Sequence, residues 1–323
     1  MAGTAKLDPA VELQFEQFRP ELTGYCYRML GSAFEAEDAV QETLVRAWRG
    51  FDNFEGRAAV RSWIYRIASN VCFDMLKGRQ RRAVPADLNG PVAGNSRFDR
   101  VDNDQPWLGP IPDSSIVATS ADPADQAIAR ESVRLAFVAA LQHLPARQRA
   151  VLILREVLRW KASEVAELLD TSVQSVNSAL QRARATLADR NLSTTREPHD
   201  PKEQELLARY VDAFERFDVD AIVDLLHKDA TFMMPPFPMW MRGASEYATF
   251  LRNDGRACQD SKLAPLVANG APGFAQWKAS PTGGYDAWAI HVMDISDGGI
   301  AGIDFFIDPA LFPLFGYPVH LDA

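Results

Sequence analysis

The stretch Lys161 to Leu187, KASEVAELLDTSVQSVNSALQRARATL, reads as two short helices around a tight turn. In the first, Val165, Leu168 and Leu169 make an apolar face; in the second, Val176, Leu180, Ala183 and Leu187 recur at helical spacing. Between them Asp170, Thr171 and Ser172 bring cap chemistry, and Thr171 with Gln174 fits a capping box. The opposite face carries Gln174, Ser175, Asn177, Ser178 and Gln181, then Arg182 and Arg184, with no carboxylate before Asp189. Short polar groups that can reach base edges, followed by guanidiniums for phosphates, suit the recognition helix of a helix-turn-helix. A helical hairpin with a solvated polar face has the same pattern, so the decision falls to the rest of the chain.

The 323 residues carry a net charge of −9, which on its face argues against a nucleic-acid binder. The charge is uneven. Residues 126–192 hold ten basic and six acidic groups, whereas 193–323 hold ten and nineteen. A basic reader joined to an acidic C-terminal body is the pattern to explain. The length is that of two or three domains, and no apolar run approaches the ~18 residues of a membrane span. The N-terminus lacks a signal-peptide layout, so a cytoplasmic location is expected, without a membrane partner. Cys26, Cys72 and Cys258 have no metal-binding spacing and are expected to be buried thiols; no metal or cofactor is expected.

Outward from that stretch, residues 11–52 read as helices broken at Gly31-Ser32, with Phe15, Phe18, Leu22, Tyr25, Cys26 and Met29 as the first apolar stripe. In the second helix Ala39, Val40, Thr43, Leu44 and Ala47 face the core, leaving Glu35, Asp38, Gln41, Glu42 and Arg46 outside. Phe54 to Val60 reads as a loop. From Arg61 to Leu76, Trp63, Ile64, Ile67, Ala68, Val71, Cys72 and Met75 recur at helical spacing, interleaved with Arg61, Tyr65, Arg66, Asn70, Asp74 and Lys77. Arg79, Arg81 and Arg82 close the segment. Aromatics that stack on bases, polar groups for an unpaired base edge and cations for the backbone fit single-stranded nucleic acid, although Trp63 and Tyr65 also fit a plain core.

AEDAVQETLVRAWRGFDNFEG and SWIYRIASNVCFDMLKGRQRR, followed by HLPARQRAVLILREVLRWKASEVAELLDTSVQSVNSALQRARATL, resemble the two domains of group IV, or extracytoplasmic-function, sigma factors of bacterial RNA polymerase. The resemblance implies that Asp38, Gln41 and Glu42 dock on core polymerase. It implies that the loop from Phe54 to Val60 captures a flipped −10 base, with Phe54, Trp63, Arg66, Asn70, Asp74, Lys77, Arg79, Arg81 and Arg82 at the −10 DNA. Gln174, Ser175, Asn177, Ser178 and Gln181 would meet the −35 element, with Arg182 and Arg184 on its backbone. Many family members carry Lys-Ser-Arg where this chain has Asn177-Ser178-Ala179, which implies weaker or retuned −35 binding with a shallower salt dependence.

Residues 86–125, rich in Pro, Gly, Asn and Asp around WLGPIPD (107–113), form an acidic linker too long for a routine connection. The resemblance implies that it threads toward the polymerase cleft; a flexible tether is the other reading. A helix from Ala124 to Leu144 opens the second sigma domain. After a polar stretch, Glu203–His227 reads as helix with a break near Asp218–Asp220. A strand and Pro-rich turn follow from Asp229 to Gly243, then a helix to Arg252. Strands follow at 263–267, 274–278, 287–295 and 302–307. This order, and ATFMMPPFPMWMRG in particular, resembles the SnoaL-like branch of the NTF2-like fold.

The expected fold is therefore multidomain: two all-α sigma domains, the second a helix-turn-helix, plus a C-terminal α+β NTF2-like cone. The expected boundaries are 8–85, 86–125, 126–192 and 203–318. In the cone Met233, Trp240, Trp277, Trp288, His291 and Asp304 are the candidate pocket lining, for a small-molecule ligand or partner, or for catalysis if His291 meets Asp304; an apolar cavity with one histidine is more often simply packing, which makes a regulatory packing domain the third reading. The acidic body is expected to modulate the sigma domains, by intrachain contact with them or through polymerase. The expected function is non-catalytic: binding core RNA polymerase and promoter DNA to direct transcription initiation. The alternative is a helix-turn-helix regulator with a ligand-sensing or enzymatic NTF2-like domain, which leaves residues 31–82 without a role.

Overall fold

The computed structural model describes residues 15–51, 54, 59–116, 130–188 and 201–322. It divides into two compact units, one made of the segments up to Arg81 and from Asp113 to Ser193, the other of Arg82–Pro112 and the C-terminal residues.

The first unit is all helix. Helix α1 (Arg19–Leu30) stops at Gly31, whose left-handed φ of 73° lets the chain reverse, and Ser32 caps α2 (Ala33–Gly50) by accepting from the Glu35 amide. Ala39, Val40, Thr43, Leu44 and Ala47 are buried as their spacing requires, against Leu22, Tyr25, Cys26 and Met29 of α1. Helix α3 (Val60–Leu76) completes the group through Ile64, Ala68, Val71 and Cys72. Tyr65, which the sequence places among the polar interleaved positions, belongs instead to the core. It is fully buried, with its ring 5.2 Å from Tyr25 and 5.0 Å from Trp160.

The second half of this unit comprises α4 (Leu135–Leu141), α5 (Ala146–Leu152), which runs into a π turn at Ile153–Val157, α6 (Ala162–Leu168) and α7 (Val173–Ala188). The expected helix from Ala124 is shorter in its described part: the chain leaves helical form at Ser132–Arg134 before α4 starts. There the Arg28 guanidinium donates to the Ser132 carbonyl (3.0 Å) and hydroxyl (2.5 Å). Arg149, also buried, donates to the carbonyls of Met29, Gln142 and Leu144 and to Gln142 Oε1. Two buried cations thus join the halves through neutral acceptors. Burial lowers both guanidiniums to about 10, still charged at neutral pH.

The second unit is an α+β cone. Helices α8 (Pro201–Glu215) and α9 (Val219–Val223) precede β1 (Leu226–Met233), β2 (Trp240–Arg242), α10 (Ala244–Arg252), β3 (Lys262–Ala268), β4 (Ala271–Ala279), β5 (Tyr285–Ser296), β6 (Gly299–Phe306) and a short β7 (His320–Leu321). The expected break near Asp218 is a helix cap, its carboxylate accepting from the Ala221 amide, and His227 lies in strand rather than helix. The sheet order is β2-β1-β6-β5-β4-β3 with β7 on β5; only β1 and β6 run parallel. The inner face packs Phe232, Phe274, Met293, Ile303 and Phe305 on Tyr210 and Phe214 of α8 and Tyr247 and Phe250 of α10.

Residues 82–112, between the two helical halves in sequence, lie on this cone. Trp240 Nε1 donates to the Asn89 carbonyl (2.7 Å) and Val92 N to that of Trp240 (2.8 Å). Gly94 N donates to Glu246 Oε2 (2.7 Å), Phe98 N to Asp254 (3.1 Å) and Ile111 N to Asn269 Oδ1 (2.9 Å). The Phe98 ring sits 4.9 Å from that of Phe250 and 6.0 Å from that of Phe237. The segment also closes on itself: Ala83 and Trp107 form a parallel bridge, with Ala83 N donating to the Pro106 carbonyl and Leu108 N to that of Ala83. Gly94 crosses α10 so closely that a Cβ there would lie 1.9 Å from the Glu246 carbonyl oxygen.

Candidate nucleic-acid interface

Helix α7 is positioned by its buried stripe of Val176, Leu180, Ala183 and Leu187 against α5 and by the turn that precedes it. Asp170 takes a φ of 49° in that turn. Ser172, not Thr171, is the cap: its hydroxyl accepts from the Ser175 amide at 3.1 Å, so the expected box of Thr171 with Gln174 is displaced by one residue. Gln174, Ser175, Asn177, Gln181, Arg182 and Arg184 are exposed on one side and Ser178 is half-buried. Arg184 is engaged, pairing with Glu156 at 2.7 Å. A DNA backbone would have to displace that carboxylate, whereas Arg182 has no such pairing among the described ion pairs.

On α2 the side chains of Asp38, Gln41 and Glu42 are exposed, one turn apart, with Glu42 tied to Arg46 at 2.7 Å and Arg46 reaching Asp74 at 3.6 Å. On α3, Trp63 lies in an aromatic cluster with Phe15, Phe51 and Phe54; the Phe54 and Trp63 rings are 5.0 Å apart. Residues 55–58 of the expected base-capturing loop lie outside the described residues. Arg66, Asn70, Asp74 and Lys77 are exposed, but Arg66 donates to the Glu167 carbonyl of α6 at 2.6 Å. The basic cluster is dispersed. Arg79 pairs with Glu35 at 2.7 Å, Arg81 contacts His143, and Arg82 donates to the Trp107 carbonyl at 2.6 Å. The sequence could not show these partners, which are 25 to 101 residues distant.

In the cone the six candidate lining residues do not converge. Register pairs Val292 with Asp304 and His291 with Phe305, so His291 and Asp304 point to opposite faces of the sheet and cannot act as a pair. Met233 and Trp240 share the outer face with Asp304. Trp277 also faces outward, under Phe312 and Tyr317, with its Nε1 donating to the Pro318 carbonyl. His291 is inside, fully buried between Phe214 and Phe305, with Nε2 2.9 Å from Gln276 Oε1; burial drops its pKa to about 3 and keeps it neutral. Burial, and then the neighbouring Asp294, raise Asp304 to about 7. Cys26 and Cys72 are buried thiols as expected, but Cys258 is half-exposed; all three are free.

A three-helix group, a helix-turn-helix with an acid-free reading face and an α+β cone define the class: a sigma-type DNA reader with a C-terminal NTF2-like domain. Comparison with known proteins agrees. Residues 14–82 match the model of Sigma-70 region 2, 134–187 that of Sigma-70 region 4, and 207–303 that of the SnoaL-like domain. The chain is 44% identical over 315 residues to the ECF RNA polymerase sigma factor SigG of Mycobacterium tuberculosis, covering 95% of this chain and 83% of that protein. It is 29% identical over 170 residues to SigW of Bacillus subtilis, covering 53% of this chain and 82% of that one. The crystal structure of the M. tuberculosis sigma factor SigJ superposes with a TM-score of 0.60 over 95% of this chain and 99% of that one, at 22% identity, a likeness of fold. The chain belongs to the extracytoplasmic-function sigma factors, and its function is promoter-directed transcription initiation. Its sigma domains are non-catalytic. No described helix is long and apolar enough to cross a membrane.

Proposed function

We propose that the chain docks on core RNA polymerase through Asp38, Gln41 and Glu42, reads and opens the −10 element through α3 and its flanks, and reads the −35 element through α7. In this reading the C-terminal cone is a brake that acts by storing the linker. The observation that carries it is the closed segment 83–107, bridged at its ends and laid along the cone. Elements named for positions −10 and −35 are centred about 25 base pairs apart, about 85 Å of B-form DNA at 3.4 Å per pair. Released and fully extended, residues 83–107 reach about 80 Å; bridged, their ends lie within hydrogen-bonding distance. The contact of Tyr65 with Trp160, and Arg66's bond to the carbonyl of Glu167, likewise favour a resting state in which the two readers are together. Initiation then requires both that contact and the clasp to open.

The cone is read as a binding rather than a catalytic domain, since His291 and Asp304 lie on opposite faces of the sheet. The test is run-off transcription with purified core polymerase on a genomic-fragment library, comparing the parent chain with Gly94→Ala. More transcript from a shared promoter set in the variant supports the brake. Equal transcript, with the linker demonstrably released, would remove it and leave the sigma function intact.

A further inference from the structure

The inner face of the cone carries a polar group that neither promoter reading nor the linker uses. Along β4, Phe274, Gln276 and Lys278 alternate toward the inside. On β5 a bulge, with Gln276 opposite Ala289 but Trp277 opposite Ala287, makes Trp288 the extra residue and turns it inward; bulges commonly re-aim a side chain in this way. The Lys278 ammonium lies 3.5 Å from the centre of the Trp288 ring. It is half-buried, desolvation lowers its pKa, and no carboxylate among the described residues pairs with it. Cys258, half-exposed, is its polar neighbour.

Behind the lysine the polar groups are buried. The Tyr210 hydroxyl is buried, close to Cys258 and to the Tyr247 hydroxyl, which acts as a donor toward it; the Tyr210 proton itself has no acceptor within hydrogen-bonding distance among the described residues. Burial pushes both phenols up, so each stays a donor at any physiological pH. A relay sets the remaining roles. The Ser261 hydroxyl donates to the Cys258 carbonyl (2.7 Å), leaving its oxygen to accept from Gln276 Nε2 (2.9 Å); Gln276 Oε1 then accepts from His291 Nε2–H. His291 Nδ1 is left as a buried acceptor without a partner.

A desolvated cation whose neighbours are a ring face and a thiol, with no carboxylate among the described residues, is an unfavourable arrangement unless an anion joins it. An unsatisfied buried hydroxyl donor costs about 1–3 kcal/mol and calls for an acceptor. We propose that the mouth of the cone binds a small organic anion with an apolar body, its carboxylate held by Lys278 and the Tyr210 hydroxyl and its body laid along Trp288. A cation would be repelled by Lys278, and a neutral apolar molecule would leave the ammonium desolvated and unpaired. The site and the clasp share α10, which carries Tyr247 on its buried side and, one residue earlier, Glu246 as the partner of Gly94. That coupling rests on the brake reading; the binding itself does not.

The test uses the full chain, with benzoate, 1-naphthoate and decanoate as probes and the matching alcohols as neutral controls, followed by calorimetry and tryptophan fluorescence. At least one carboxylate is expected to bind saturably at one site, about tenfold or more tighter than its alcohol, since a tenfold ratio corresponds to only about 1.4 kcal/mol. Lys278→Met is expected to remove that preference, Lys278→Arg to keep it, and Tyr210→Phe to weaken the acid several-fold, with melting temperatures confirming that each variant folds. No saturable binding by any carboxylate, equal binding of acid and alcohol, or an unaltered preference in a folded Lys278→Met chain would each overturn the proposal. None of these would bear on the brake, which is read out by transcription of a linker variant.

Discussion

Gly94→Ala is the perturbation that isolates the clasp. The added methyl would sit 1.9 Å from the Glu246 carbonyl oxygen, 2.8 Å from its carbon and 2.9 Å from Thr249 Cβ. Two of the three are backbone atoms of a packed helix and cannot swing aside, so the linker must lift by more than 1 Å. Overpacking of this kind costs about 1–3 kcal/mol. The lift also breaks the bond from Gly94 N to the Glu246 carboxylate, and a hydrogen bond to a charged group is worth about 1.5–3 kcal/mol. Allowing for incomplete additivity, the clasp weakens by about 3–4 kcal/mol, a factor of about 100 to 1,000 in its opening equilibrium. Hydrogen exchange resolved by residue is the assay. Amides of Val92, Gly94, Asp102 and Leu108 should exchange faster by that factor, while those of β4, β5 and β6 keep their parent rates. If the linker amides exchange as slowly in the variant as in the parent, the clasp does not depend on this crossing and the reasoning fails.

Other outcomes follow from the same geometry. Arg149→Leu should destabilise the helical unit by about 3–5 kcal/mol in urea unfolding, because it strands the carbonyls of Met29, Gln142 and Leu144 in the interior. Asp304, with its pKa raised to about 7, favours the folded cone while protonated, and that contribution is lost as pH rises from about 4 through 7; Asp304→Asn should therefore raise stability at pH 8 and leave it little changed at pH 4. His291, lowered to about 3, acts in the opposite sense: stability falls as pH drops below the ordinary histidine range, because only the unfolded chain takes up the proton, and His291→Gln should remove that acid loss. Arg182→Ala should reduce the salt slope of −35 binding by about one and weaken all sequences alike, whereas Gln174→Ala should cost about 1–3 kcal/mol at one base position.

The apolar positions of the helix-turn-helix and of α2 were legible one by one, because a helix that buries one stripe leaves a period of 3.6 in the sequence. Five strands of the cone were legible as apolar runs, with clear alternation in 287–295, whereas β2 fell in the expected Pro-rich turn and β7 was not expected; the pairing of the strands was not legible. Whether His291 and Asp304 share a face depends on the register between β5 and β6, which a bulge at Asp294–Ile295 shifts locally, and no single-strand pattern carries that information. Tyr65 shows a different limit. Its position on α3 looks polar beside Arg61 and Arg66, yet Trp160 covers it from the loop before α6, nearly a hundred residues on. Linker composition announced a long irregular segment, while its attachment rests on backbone groups meeting Trp240, Glu246, Asp254 and Asn269, contacts that any polar loop could in principle make. Gly94 was one glycine among nineteen until the passage of α10 beneath it gave it a reason.

The bridge between Ala83 and Trp107 has a mechanical consequence. Its two strands run parallel, and the chain leaves it toward the N-terminal reader from one strand and toward the C-terminal reader from the other. Tension applied by pulling those readers apart therefore runs along both strands in opposite senses. The bonds from Ala83 N and Leu108 N, with the Arg82 contact to the Trp107 carbonyl, bear that load together in shear rather than parting one after another as a zipper does. Under the brake reading, a clasp wired this way resists the stretch that promoter engagement would impose, whereas release from the cone acts across that direction. Whatever loosens it is therefore best placed on the C-terminal domain, so that the signal and the polymerase pull on different coordinates of the same molecule.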